Sequence, residues 1–177
     1  LLAATKTITA ERIREAAAHG LTLIGENRVQ EATSKYQQLI GLPLTWHFIG
    51  HLQPNKIKSA LQFASVIESV DSWHLASEID HIANVMDRRV DIFIEVNTSG
   101  ETSKYGVAAE KAEAFAQQIA TLSHVRLTGL MTIGALSYDK QRIRSCFITL
   151  RKLQERLTAS GLSIDHLSMG MSDDYEI

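Results

Sequence analysis

Short apolar runs alternate with amphipathic segments along the whole 177-residue chain, and that alternation restricts the fold to parallel strands joined by crossover helices. The runs at 1–6, 22–26, 45–50, 66–70, 90–97, 126–133 and 165–170 read as strands. Between them, Ile143, Phe147, Leu150, Leu153 and Leu157 share one helical face, as do Leu75, Ile79, Ile82 and Met86, and Ala108, Ala112, Phe115, Ile119 and Leu122. Thr9, Asn27 and Asp71 stand where helices would begin, and Gly20, Gly41 and Gly161 where helices would end. Nothing marks a linker or a change of composition, so residues 1–177 read as one α/β domain. Seven strand–helix units, the last helix cut short, predict a (β/α)8 barrel without its eighth strand. An open doubly wound sheet is the competitor. It usually carries a glycine-rich turn after the first strand, where this chain has Thr5-Lys6-Thr7, so the barrel is favoured. Leu1 already lies inside a strand-like run and Asp173-Asp174-Tyr175 reads as a helix just opened, so both ends look cut.

Composition narrows the function. A formal net charge of -2 supplies no basic footprint for nucleic acid, and a small-molecule partner is expected instead. No apolar stretch has the length of a membrane span, so no membrane association is expected. Cys146 is the only cysteine, which rules out an internal disulfide framework and cysteine-rich zinc sites; it fits a reducing cytoplasm and a place in the core.

In a barrel the functional site forms at the C-terminal ends of the strands, so polar residues that close apolar runs are the candidates. Strand one ends in Lys6, strand two in Gly25-Glu26-Asn27, strand three in Gly50-His51, strand five in Asn97, strand six in Met131-Thr132, and strand seven in Ser168-Met169-Gly170-Met171-Ser172. Lys6 has two readings. As an amine desolvated at the end of a buried strand it would favour the neutral form that attacks a carbonyl; as a rim residue its stem covers the sheet while its charge reaches water. Asn27 has two as well, a site residue or the N-cap of the second helix. His47 and His51 share a strand face, but no third metal ligand accompanies them, and His51, after Gly50, is the better site candidate. The turn from Ser168 to Ser172 suits an anion at a helix N-terminus, with Asp173 and Asp174 as favourable charge in the first helical turn. A Schiff-base lysine facing a phosphate cup would suit pyridoxal phosphate.

These segments occur in a recognisable order: Thr5-Lys6-Thr7, the run from Ile24 to Glu31, the run from Trp46 to Lys56, Gly129-Leu130-Met131-Thr132-Ile133, and the run from Leu167 to Asp174. Together they resemble the YggS/PROSC family of pyridoxal phosphate homeostasis proteins over essentially the whole chain. The resemblance implies a barrel of the alanine racemase N-terminal-domain type with pyridoxal 5'-phosphate held as a Schiff base on Lys6. It places Asn27, His51 and Met131 at strand ends around the ring, and Ser168, Met169, Gly170 and Ser172 on the phosphate side. It implies a cytoplasmic monomer that carries or buffers vitamin B6, without established turnover and with transient contacts to acceptor enzymes. The sequence stops before the Arg-Ile-Gly-Thr that the family pattern carries on its final strand, so no residue here takes those roles. An amino-acid racemase or lyase on the same barrel is the alternative. Racemases of this type add a second domain with a tyrosine base, for which Tyr105 is a poor substitute, reading instead as a loop tyrosine packed near the rim.

Overall fold

The structure, a computed structural model, describes residues 1–172 and 174–177. In chain order its elements are β1 (Ala3–Ala4), α1 (Ala10–Ala18), β2 (Leu23–Glu26), α2 (Val29–Leu39), β3 (Thr45–Phe48), a 3-10 turn (Pro54–Lys56), α3 (Ile57–Ala60), β4 (Val66–Val70), α4 (Trp73–Val85), β5 (Val90–Asn97), β6 (Val107–Ala108), α5 (Ala112–Ile119), β7 (Val125–Thr132), α6 (Lys140–Ala159) and β8 (His166–Met169). The strands follow one another in the order β1-β2-β3-β4-β5-β7-β8, with short β6 attached to β5. Every pairing is parallel. The result is a curled parallel half-barrel with β1 and β8 at its two ends.

Side-chain alternation divides the central strand between two environments. On β5, Val90, Ile92, Ile94 and Val96 join the main core beneath the helices, while Phe93 belongs to a separate small cluster with Val66 and Met131 on the concave side. Gly129 lies opposite Phe93, and a Cβ there would come within 2.7 Å of the phenyl ring. The helices deliver the apolar faces read from the sequence. Ile143, Phe147, Leu150, Leu153 and Leu157 of α6 are all buried, with Cys146 beside them. Thr9 caps α1 by accepting from the Arg12 N–H, and Gly20, Gly41 and Gly161 hold positive φ just past helix ends, where other residues would be strained.

Several expectations need correction. Strand one shrinks to Ala3–Ala4, because an edge strand has a neighbour, β2, on one side only. The second helix takes Arg28, not Asn27, as its N-cap, with no side-chain cap bond. Ser72, not Asp71, caps α4, its hydroxyl accepting from the Leu75 N–H at 3.3 Å. Ala108 belongs to β6 rather than to the helix face of Phe115, because its backbone pairs with Asn97. The helix expected after Ser172 is replaced over Asp174–Ile177 by a turn in which the Tyr175 N–H bonds the Met171 carbonyl at 2.9 Å. Asp173 lies outside the described residues.

Candidate site at the strand ends

Lys6 sits in the turn after β1 and is exposed, which overturns the buried reading of its amine. Among the described residues Lys6 has no ion-pair partner. Its neighbours on either side are held firmly. The Thr5 hydroxyl donates to Glu26 Oε1 at 2.7 Å, the Thr5 carbonyl accepts from Lys35 Nζ at 2.7 Å, and the Thr7 N–H donates to Glu31 Oε1 at 2.8 Å. Thr5 and Thr7 are therefore tied to β2 and α2, and Lys6 between them is exposed.

Asn27 and His51 meet through a glycine. A Cβ on Gly50 would overlap the Asn27 backbone, so only glycine lets the loops after β2 and β3 come this close. Asn27 and His51, with Arg28, Gln30, Gln53 and Lys56, line one groove. The exposed His51 ring stacks on Tyr105, with centroids 4.3 Å apart and planes 20° from parallel. That contact places Tyr105, from the loop after β5, at the rim beside a strand-three residue.

His47 has a different fate. It is buried, and its Nδ1 pairs with Glu68 Oε1 at 2.5 Å while its ring meets Phe93 edge-on. The two histidines thus divide into an interior structural residue and a rim residue. Asn97 spends its amide on its own loop, donating to the Glu101 carbonyl and accepting from the Gly100 N–H. Thr132 bonds Thr98 at 2.9 Å.

On the far side, Met131 is buried and pairs in register with Ser168, and Thr132 pairs with Met169. Gly170 takes φ +85, and Ser172 is exposed. The Met171 N–H, one of the amides expected to await an anion, is already held by the Asp174 carboxylate. The cup is therefore closed by the chain's own acid, without the helix terminus expected there. Glu95, opposite Met131 on β5, is buried, and burial pushes its carboxyl up to about 7, with the nearby Asp71 charge adding to the effect.

Sequence reading missed the charge cluster behind Lys6 altogether. Glu26 stood only as part of a strand end, and Glu31 and Lys35, at i,i+4 on α2, carried no reading as a pair. Only the fold shows that Lys35 bonds Glu26 at 2.7 Å as well as Glu31 at 2.6 Å.

Comparison with known proteins places the chain in a family. Residues 2–176 match the family described as "Alanine racemase, N-terminal domain". A pyridoxal phosphate homeostasis protein of Aquifex aeolicus is 42% identical over 178 residues, covering 100% of this chain and 78% of the relative. The structure of PipY from Synechococcus elongatus PCC7942 without PLP superimposes with a TM-score of 0.93 at 37% identity, over 99% of this chain and 83% of that one. PipY with PLP bound gives a TM-score of 0.90 at 37% identity, over 99% and 84% of the two chains. This chain belongs to the family of the alanine racemase N-terminal domain and, within it, to the pyridoxal phosphate homeostasis proteins.

Proposed function

We infer that the protein binds pyridoxal 5'-phosphate, with Lys6 as its covalent anchor, and serves vitamin B6 and amino-acid homeostasis without turning over a substrate. The observation that carries this reading is the Lys6 turn: an accessible amine at a strand end, with both flanking residues fixed by hydrogen bonds. Its support from outside is the 37% identical PipY, solved with PLP bound.

The residues present suit such a group. When bound, pyridoxal phosphate supplies an aldehyde that condenses with a neutral amine. Lys6 offers the amine, exposed and accessible to the aldehyde. Asn27 and His51, backed by Tyr105, border the mouth on one side, and Met131 forms an apolar floor. Ser168, Met169, Gly170 and Ser172 would receive the phosphate. Its approach to the Met171 N–H requires Asp174 to give way. We assign the chain no catalytic residue. The reading extends to a cytoplasmic monomer that hands the cofactor to acceptor enzymes through transient contacts. A single buried cysteine suits a reducing compartment, and among the described residues no helix is long and apolar enough to cross a membrane.

The test is to incubate the protein with pyridoxal 5'-phosphate, reduce with borohydride and map the adduct by peptide mass spectrometry. Label on Lys6, lost in Lys6→Ala, is expected; label on other lysines with Lys6 unmodified would defeat the reading. Exchange of an amino acid's α-hydrogen in heavy water, dependent on the cofactor, would move the assignment to a racemase-like enzyme.

A further inference from the structure

We propose that Lys35 is a positioning residue for Lys6, acting through a buried charge cluster that fixes the backbone turn carrying the reactive amine. The proposal rests on the reading of Lys6 as the anchor.

The cluster has one cation and two carboxylates. Lys35 Nζ, on a residue 7% exposed, bonds Glu26 Oε1, Glu31 Oε1 and the Thr5 carbonyl. These take all three of its donors. Each carboxylate then reaches back to the Lys6 turn, Glu26 accepting from the Thr5 hydroxyl and Glu31 from the Thr7 N–H. The Lys35 ammonium, and after it the Thr7 N–H, hold the Glu31 carboxyl below its ordinary range, so Glu31 stays a charged acceptor.

What the cluster enforces is visible in the backbone. Thr7 has φ +67, a left-handed conformation that a β-branched residue adopts only under constraint. The constraints are the Glu31 bond and the Ile8 N–H, which bonds the Thr5 carbonyl at 3.0 Å; that same carbonyl receives Lys35. Thr5 and Thr7 are thus tied to α2, while Lys6 between them is exposed, with no ion-pair partner among the described residues. An amine on a fixed stem base samples fewer positions before it attacks. In the step itself the Lys6 nitrogen forms a bond to the aldehyde carbon, two protons leave the nitrogen, and the carbonyl oxygen departs as water.

The experiment compares wild type, Lys35→Met, Glu31→Ala and Glu31→Ala/Thr7→Gly. For each, the rate of Lys6 labelling by pyridoxal 5'-phosphate and borohydride is measured beside the thermal midpoint. Hydrogen exchange at the Thr7 amide is followed in the cofactor-free protein. Both single variants are expected to label Lys6 roughly 10- to 100-fold more slowly, and Thr7 exchange accelerates in Glu31→Ala. Thr7→Gly restores most of the rate in the double variant, because glycine adopts positive φ at no steric cost once the Glu31 bond is gone. A role confined to stability would lower the midpoint, leave the rate unchanged and show no rescue. Glu31, with a side chain 28% exposed, decides the matter where Lys35→Met does not fold. Wild type labelled on Lys6, with both single variants labelled at the same rate, overturns this proposal and leaves the anchor reading standing. Wild type unlabelled on Lys6 overturns the anchor reading itself.

Discussion

Gly50 shows how a single hydrogen can set the geometry of a rim. The dipeptide Gly50-His51 was legible as a strand end, yet nothing in the sequence tells why the first residue must be glycine. The structure supplies the reason: the Asn27 backbone occupies the space a side chain would need. Gly50→Ala forces two loops apart and is expected to cost about 1–3 kcal/mol, the usual range for overpacking against atoms that cannot yield. Urea unfolding measures this, and a midpoint equal to wild type would mean that the Asn27 loop moves freely. His47 makes the complementary point. Its strand position was evident, but its partner Glu68 lies one strand away and 21 residues along the chain, a distance that no local pattern spans.

Helices were legible where side-chain periodicity defined them, and their ends less so. The apolar face of α6 emerged from spacing alone, because five large residues repeat along it over four turns. The start of α4 did not, since Asp71 and Ser72 are both good caps and adjacent; the backbone decides for Ser72, whose hydroxyl reaches the Leu75 N–H. Ser72→Ala is accordingly expected to lower stability by about 1 kcal/mol. Asp71→Asn, which removes no cap, gives no such loss. A calorimetric comparison in which Asp71→Asn proved the more damaging would return the cap to Asp71. Short β6 and the terminal turn escaped the sequence for the same physical reason: two-residue strands and turns are fixed by long-range partners, here Val96 and Asn97 for β6 and the Asp174 carboxylate for the turn.

The molecule as a whole encloses carboxylates on the concave side of a parallel sheet, and such an interior is sensitive to pH. The barrel type followed from the repeated strand–helix pattern, but which residues the curl would bury did not. Glu95, which carried no reading of its own, is buried, whereas Lys6, for which a buried and a rim reading stood open, is exposed. For Glu95 the folded-state carboxyl is raised from 4.5 to about 7 by burial and then by Asp71. Between those two values the folded protein retains a proton that the unfolded chain has released, so stability falls as pH rises through this window. Below pH 4.5 both states are protonated and above 7 both are ionised, so the loss levels off at each end. Its full size is on the order of 3 kcal/mol. Glu95→Gln has no proton to lose there, and its stability relative to wild type is expected to climb from about pH 4.5 to about pH 7 and then hold constant. Paired urea titrations across that range measure the difference directly. A difference independent of pH would mean that water reaches the Glu95 carboxylate and that the concave floor is wetter than its packing implies.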